Sequence, residues 1–169
     1  KLDTKTGKEE GRYKVCSNPS RTSVDLNGDC WVGCRGDGSV AKIRVDKKDC
    51  VDKNGNGNIE TSSGKNIVSN DECIQFIVNP DGKTVARAAG VDKDNHAWIG
   101  FWNSKRLRRL EPNAGQSVDQ INIGCNPYGL VIDQKGIIWI AGRGCSALLR
   151  VDPKTKSVQN VGKGGGSPY

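Results

Sequence analysis

Short apolar segments alternate with polar turns along most of the chain, and one arrangement of them recurs three times. Residues 24–33, 91–100 and 132–141 each begin with an aliphatic residue and an Asp, pass through a polar turn, and return to an apolar segment at a Trp. In all three repeats the Asp precedes the Trp by six positions. Apolar runs this short, joined by turns that contain Gly or Asn, predict antiparallel hairpins.

Two further strands are expected after each hairpin. The third strand ends in a basic residue, an aliphatic residue and an acid, at 44–46, 109–111 and 150–152, and the chain opens on the same signature at 1–3. Fourth strands are then expected at 12–15, 118–123 and 157–161. Four antiparallel strands in each repeat are typical of the blade of a β-propeller.

The spacing of the repeats predicts the domain organisation. Trp98 and Trp139 lie 41 residues apart, which fits the roughly 40–45 residues of a four-stranded blade, whereas Trp31 and Trp98 lie 67 residues apart. An insertion at 47–73 accounts for the difference. We therefore expect an all-β propeller unit over 1–169 with three complete blades and a partial one. Its segments are the outer strands of a partial blade at 1–15, blades at 16–85, 86–124 and 125–163, and the start of a next blade at 164–169.

Three blades and a remainder have a consequence for ring closure. Known propellers close with at least four blades. The sequence therefore predicts an incomplete ring, or a ring that other copies or the rest of a longer chain complete, since unpaired sheet edges promote association. A β-sandwich is the alternative all-β fold, but it does not predict an Asp-to-Trp spacing that recurs three times.

The repeat resembles streptogramin-lyase-like and NHL-like propellers. A blade of these families carries five features in order: Pro-x-Gly, an aliphatic residue followed by Asp, a Gly, an aliphatic residue followed by Trp, and a second Gly. The best local match in this chain is 126–133 followed by 139–141. The resemblance implies a propeller fold and no particular function, because this fold hosts many functions. The lyases use a His with Glu-x-His-like partners, whereas the single histidine of this chain, His96, is expected on a turn. We favour a binding or structural module, with a lyase as the enzymatic alternative.

The insertion contains a calcium-loop motif of the EF-hand or dockerin type. The pattern D-x-[DN]-x-[DN]-G begins at Asp52 and places oxygen ligands at loop positions 1, 3 and 5, which are Asp52, Asn54 and Asn56. Position 7 offers the carbonyl of Asn58. Alternate side chains of a tight loop point at one centre, and hard oxygen ligands suit Ca²⁺.

Position 12 of this loop departs from the pattern, because Ser63 replaces the bidentate acid. Asp71 or Glu72, at the far end of the insertion, is expected to supply that ligand. The small number of ligand charges predicts weak binding of Ca²⁺, with a dissociation constant on the order of 10⁻⁴ to 10⁻³ M. A turn rich in Asn and Gly that holds no ion is the alternative.

Seven cysteines indicate an oxidising compartment and hence a secreted or periplasmic protein. The absence of a C-x-x-C pair and the single histidine argue against a structural zinc site. The expected disulfides are Cys50–Cys73 across the base of the insertion, and Cys16–Cys34 and Cys125–Cys145 at one end of their blades. Cys30 is left over, either as a half-buried thiol or as the partner in an intermolecular bond. No apolar run approaches the roughly 18 residues of a membrane helix.

The net charge of +7 comes from Lys and Arg interleaved with Asp and Glu, which favours a solvated surface over nucleic-acid binding. A polysaccharide is an alternative partner. Trp102 and Tyr128 are its candidate aromatic contacts, and Arg106 and Arg108 its candidate basic contacts, although strand alternation divides the charges of 105–109 between two faces. The sequence thus predicts a secreted, calcium-binding structural or interaction module whose partner is another copy of itself, in an oligomer or filament, or the rest of a longer propeller chain.

Overall fold

The computed structural model describes residues 1–163, and its regular structure is almost entirely β-sheet. Twelve strands form three four-stranded antiparallel sheets, each made of four strands that follow one another in sequence. One 3₁₀ turn, Lys47–Asp49, is the single helical element of the described residues. The predicted all-β architecture of four-stranded blades is confirmed. Residues 164–169, expected to begin a next blade, lie outside the described residues.

The strands of each blade run in chain order across the sheet. Blade 1 consists of β1 Pro19–Val24, β2 Cys30–Cys34, β3 Val40–Ile43 and β4 Ile74–Val78. Blade 2 consists of β5 Ala86–Val91, β6 Ala97–Phe101, β7 Arg106–Leu110 and β8 Ser117–Asn122. Blade 3 consists of β9 Asn126–Ile132, β10 Ile138–Arg143, β11 Ala147–Asp152 and β12 Ser157–Lys163. The insertion lies between β3 and β4.

The Asp of the repeat closes the first hairpin of every blade. Its Oδ1 accepts hydrogen bonds from two backbone N–H groups of the turn, and its Oδ2 accepts one from the indole Nε1 of the Trp six residues later. The indole contacts are Asp25–Trp31 at 3.3 Å, Asp92–Trp98 at 3.2 Å and Asp133–Trp139 at 3.0 Å. The Asp-to-Trp spacing is therefore constant because the indole has to reach back across a tight turn to the Asp carboxylate.

A basic residue on the third strand joins this contact in blades 1 and 2. Lys42 Nζ lies 2.9 Å from the Asp25 carboxylate, and the two side chains are 1% and 0% exposed. Arg109 lies 2.7 Å from Asp92 in the same way. Burial acts to raise the pKa of Asp25, but the Lys42 ammonium and the turn N–H groups outweigh it and hold that pKa below its usual value. The Asp25 carboxylate therefore stays ionised and neutralises a buried cation.

Successive blades pack face to face. We call the face of a blade that carries the repeat Trp its trailing face, and the opposite face its leading face. Trp31 and Trp98 are only 0% and 1% exposed, because the leading face of the next blade covers them. Trp31 packs against Ala97, Ile99 and Leu110 of blade 2. Trp98 packs against Ile138, Ile140 and Val151 of blade 3.

Neighbouring blades approach each other closely where the second strand carries a Gly. A Cβ added at Gly100 would lie 2.7 Å from the Cβ of Pro127, at the start of the next first strand. Gly33 occupies the equivalent position in blade 1, and a Cβ there would lie 3.4 Å from Ala86. These positions allow the first strands of adjacent blades to lie side by side.

The segment before blade 1 is less regular than the sequence predicts. Residues 1–15 contain one isolated bridge, between Leu2 and Glu9, where two outer strands were expected. Within the described residues this segment pairs with no third strand, and an isolated two-stranded hairpin is marginally stable in water. Val15 is nevertheless buried against the leading face of blade 1, in a cluster with Val32 and Ile43.

The three predicted disulfides are confirmed. They are Cys16–Cys34, Cys50–Cys73 and Cys125–Cys145. This number of disulfides fits an extracellular or periplasmic protein. Cys30 is the cysteine that remains outside a disulfide in the described residues, and it is half-buried on β2. Burial raises the pKa of the Cys30 thiol, so that it stays protonated at neutral pH.

A separate observation concerns membranes. In residues 1–163 we find no helix with the length and apolar character needed to cross a bilayer.

Replacing Asp25 with Ala is expected to lower the free energy of unfolding by about 3 kcal/mol, because the indole N–H of Trp31 and the buried ammonium of Lys42 lose their acceptor. Asp29, 3.4 Å from Lys42, keeps part of the charge compensation. Asp46→Ala is the matched control, since Asp46 is exposed and 3.9 Å from Lys48, and it is expected to cost less than about 1 kcal/mol. Urea denaturation measures both, and equal losses would contradict this role of Asp25.

Candidate functional site

Two buried carboxylates hold the ends of the calcium-motif loop together. Glu72 accepts hydrogen bonds from the backbone N–H groups of Lys53 and Glu60, both at 2.7 Å, one near each end of the loop. Asp71 accepts one from the N–H of Ser62, also at 2.7 Å. Both acids are 2% exposed. The structure thus places Asp71 and Glu72, two predicted ligands, as acceptors for the backbone of the loop.

These hydrogen bonds also set the charge of the two acids. The N–H groups of Glu60 and Lys53 lower the pKa of Glu72. Burial acts to raise the pKa of Asp71, but the hydroxyl and N–H of Ser62 and the N–H of Cys73 outweigh it, so that this pKa is lowered as well. Both acids are therefore ionised at neutral pH, and two negative charges lie at the base of the loop.

Asp52 closes the sharp turn at the start of the loop. Its Oδ1 accepts a hydrogen bond from the N–H of Gly55 at 2.7 Å, and its Oδ2 accepts one from the N–H of Gly57 at 2.8 Å. The two glycines have φ angles of 72° and 81°, a region in which a Cβ causes strain. The turn implied by the spacing of Asp and Gly in the motif is therefore present.

The side chains of Asn54 and Asn56 converge on one carboxylate, that of Glu60. Each Asn donates a hydrogen bond from Nδ2 to one oxygen of Glu60, at 2.9 Å in both cases. Glu60 is exposed at loop position 9. It is not among the ligands predicted from the sequence, although position 9 is a ligand position of this loop type. Asn58 instead lies beside Asn56, whose Oδ1 accepts its N–H at 2.8 Å.

This donor set differs from that of a transition-metal site. In the part of the chain that the structure describes, no three side chains of His, Cys, Asp or Glu come together as a group that would hold a metal ion. A cation at this loop would depend on amide and carbonyl oxygens together with Asp52 and Glu60, which are hard ligands of the kind that Ca²⁺ prefers.

Trp102 and Tyr128, the predicted aromatic contacts, lie together in the structure. Their ring centroids are 6.3 Å apart and their planes meet at 71°, an edge-to-face contact. The guanidinium carbon of Arg87 lies 4.4 Å from the centroid of Tyr128 and 5.6 Å from that of Trp102. The guanidinium of Arg21 lies 4.9 Å from the centroid of Tyr128. We call Arg21, Arg87, Trp102 and Tyr128 the arginine–aromatic cluster.

The first strand of every blade has a β-bulge near its start, and Arg87 and Tyr128 of the cluster are bulge residues. The pairing with the second strand shifts by one residue in β1, β5 and β9, and the extra residues are Ser20, Arg87 and Tyr128. A bulge bends the strand and redirects a side chain. Arg21 and Arg87 were not selected from the sequence, but they precede the repeat Asp by four and five positions, as Tyr128 does by five. Their fixed offset from the repeat Asp is the sequence signal that would have identified both arginines.

Arg106 and Arg108 lie in a different environment from this cluster. Both bind Asp81, at 3.2 and 2.8 Å, and the Asp81 side chain is 2% exposed. Asp81 also accepts a hydrogen bond from the Ser104 hydroxyl. Since Asp81 lies between β4 and β5, these ion pairs fasten the connection between blades 1 and 2 onto β7. Arg109 binds on the opposite face of β7, so the charges divide as strand alternation predicts.

The trailing face of blade 3 differs from those of the other two blades, because no described blade covers it. Val131 and Leu148 on this face are 64% and 41% exposed. Val40 and Leu107, which hold the position of Leu148 in blades 1 and 2, are both 0% exposed. Trp139 is partly exposed as well. We call Val131, Trp139, Ala141 and Leu148 the open blade face.

No family model and no curated protein matches this chain. Solved propeller structures do. A streptogramin B lyase structure is similar with a TM-score of 0.61 and 14% identity, over 89% of this chain and 41% of that one. The virginiamycin B lyase of Staphylococcus aureus gives 0.59 and 15%, over 88% and 43%. BamB from Moraxella catarrhalis gives 0.54 and 15%, over 86% and 37%.

These similarities bear on the fold alone, because the sequence identities are low. The chain spans about two fifths of the length of the structures it matches. Three consecutive four-stranded blades account for the matched part. The chain therefore has a β-propeller fold of the streptogramin-lyase-like type.

Proposed function

We propose that this chain is an extracytoplasmic interaction module, a set of propeller blades that associates with a second copy of itself through the open blade face. The observation that supports this proposal is the contrast between equivalent positions. Leu148 is 41% exposed on blade 3, whereas Val40 and Leu107 are fully covered by the next blade.

The open blade face has the composition of an interface. Its Trp and Leu side chains stand where the other two blades carry residues that are covered by the next blade, and Val131 lies beside Trp139 on the neighbouring strand. Burying one such aliphatic side chain contributes about 1.5–3 kcal/mol. A contiguous apolar patch on the face of a sheet is typical of a surface that binds another protein.

The proposed contact is a two-fold one, between two open blade faces. The leading face of blade 1 is already covered by Tyr13 and Val15, which disfavours a head-to-tail arrangement of copies. A two-fold contact buries both open faces at once and leaves no further face to extend the assembly. We therefore favour a dimer over a filament.

We propose in addition that the loop at 52–60 binds Ca²⁺ weakly. Asn54 and Asn56 already face Glu60, and a half-turn of each amide group would point its oxygen at a cation beside that carboxylate. Asp52 and the carbonyl of Asn58 complete the set at positions 1 and 7. The ion would stiffen the insertion that the Cys50–Cys73 disulfide closes.

A lyase activity, the enzymatic alternative, has less support. His96 is the single histidine of the chain. It lies on the turn between β5 and β6, with its Nδ1 3.1 Å from the carbonyl oxygen of Asp94. This turn is at the opposite end of blade 2 from the arginine–aromatic cluster.

Self-association is expected to depend on the open blade face. Leu148→Glu should weaken dimerisation at least tenfold, because it buries a charge in an apolar contact and a cost of about 1.4 kcal/mol already gives that factor. Sedimentation equilibrium over a range of protein concentrations measures the constant. Val118→Glu is the matched control, since Val118 is 52% exposed on β8 and should leave the constant unchanged. A wild-type protein that stays monomeric at every concentration, or two variants with the same constant, would overturn the proposal.

Calcium binding is expected to depend on Glu60. Isothermal titration of the wild type with CaCl₂ should give a dissociation constant on the order of 10⁻⁴ to 10⁻³ M. Glu60→Gln should weaken binding at least tenfold, because one of the two carboxylates of the set is lost. Asp49→Asn removes a charge just outside the loop and should change little. Identical titrations for the wild type and Glu60→Gln would rule out this loop as the site.

A further inference from the structure

Residues 1–15 have the local structure of the outer edge of a blade. Asp3 accepts hydrogen bonds from the backbone N–H groups two and three residues further on, as Glu111 does in the turn between β7 and β8. The bridge between Leu2 and Glu9 corresponds to the pair of β7 and β8 that lies next to that turn. The segment therefore matches the ends of a third and a fourth strand, and the described residues contain no first and second strands beside it.

The leading face of blade 1 is covered over its outer strands and open over its inner ones. Tyr13 and Val15 pack in one cluster with Ile43 of β3. Val24 of β1, in contrast, is 65% exposed. It belongs to the same face, because its cross-strand partner Cys30 packs against that cluster. The part of the face formed by β1 and the start of β2 is thus an apolar surface open to solvent.

The same inner positions are covered in the other two blades. Val91 of blade 2 and Ile132 of blade 3 correspond to Val24, and both are partly buried. Val91 packs against the cluster that contains Trp31, and Ile132 against the cluster that contains Trp98. The covering element is in each case the preceding blade with its repeat Trp.

Both inner strands of the preceding blade take part in this cover. In the contact between blades 2 and 3, Trp98 comes from the second strand, β6. The first strand, β5, contributes Gly90, which packs directly against the side chain of Leu130. A hairpin of two strands therefore fills the space that is open at blade 1, whereas a single strand would fill part of it.

We propose that the open part of the leading face of blade 1 binds a β-hairpin of another chain, one that carries the repeat Asp and, six residues later, the Trp. The bound hairpin supplies the inner strands of a blade whose outer edge is residues 1–15. A hairpin of this kind is marginally stable alone and buries its apolar face on docking. The surface lies at the other end of the row of blades from the open blade face, so that the inference is independent of the proposed self-association.

Lys1 offers a cation to the Asp of such a hairpin. It directly precedes the bridge residue Leu2, as Arg109 precedes Leu110 in blade 2. Arg109 binds the repeat Asp of its own blade at 2.7 Å. Lys1 binds Glu10 at 3.1 Å, and both side chains are exposed. Because exposed ion pairs contribute little, Lys1 can exchange Glu10 for the carboxylate of a docked hairpin.

A cyclic peptide with the sequence of residues 126–143 is the probe for this surface. It contains the repeat Asp and Trp of blade 3, and its ends can be joined because Asn126 and Arg143 are cross-strand partners. Fluorescence anisotropy of the dye-labelled peptide should show saturable binding to the wild type, at protein concentrations below the onset of self-association. Val24→Glu should weaken binding about tenfold or more, because a charge would be buried under the hairpin. A peptide with Trp139→Ala should bind the wild type more weakly by a similar factor.

Val118→Glu is the matched control, since Val118 is 52% exposed on β8, and it should bind the peptide within about twofold of the wild type. Val24→Glu should in turn leave the self-association constant unchanged. Circular dichroism establishes that the variants are folded. Thr22→Glu, at another exposed position of β1 on the same face, takes the place of Val24→Glu if that variant is not folded.

The inference is overturned if the wild type does not bind the cyclic peptide, or if Val118→Glu weakens binding as much as Val24→Glu does. Equally tight binding of a linear peptide of residues 126–132, the first strand alone, would also overturn it. So would weaker binding in Leu148→Glu but not in Val24→Glu, because the peptide would then occupy the open blade face. A loss of self-association in Val24→Glu would assign the surface to a second copy of the chain and overturn the inference as well.

Discussion

The contact between the repeat Asp and the indole six residues later determines how each blade is built. One oxygen of the carboxylate closes the hairpin turn through two backbone N–H groups, and the other holds the Trp at the start of the second strand. In blades 1 and 2 a cation from the third strand binds the same carboxylate. Three strands are thereby fixed to one group, and the Trp is presented on the trailing face, where the next blade packs.

The same contact is present in blade 3, whose trailing face we propose as a binding surface. Asp133 holds Trp139 as Asp25 and Asp92 hold their own indoles, so the trailing face of blade 3 is formed although no described blade lies on it. The two ends of the blades then differ in chemistry. Paired acids and bases stabilise the hairpin turns at one end, while the bulged ends of the first strands bring Arg21 and Arg87 together on aromatic rings.

The blades and disulfides could be predicted from the sequence because they depend on local spacing. The six-residue spacing from Asp to Trp is set by how far one indole side chain can reach across a turn. Each cysteine pair joins the ends of one hairpin or of one insertion. Contacts between distant segments could not be predicted in this way. Asp81 binds Arg106 and Arg108 from a connection between blades, and Arg21 reaches Tyr128 across two blade interfaces. The hydrogen bonds that Glu72, a predicted calcium ligand, accepts from the loop backbone could not be predicted either, because burial among N–H groups is visible only in three dimensions.

The most direct test of the central proposal, that the trailing face of blade 3 binds a second copy of the chain, is fluorine NMR of protein labelled with 5-fluorotryptophan. The four tryptophans give separate resonances, which single Trp→Phe variants assign. If the account is right, the Trp139 resonance shifts as the protein concentration rises, while those of Trp31 and Trp98 stay fixed because the next blade already covers them. A Trp139 resonance that is independent of concentration, or one that moves together with Trp31 and Trp98, would contradict it.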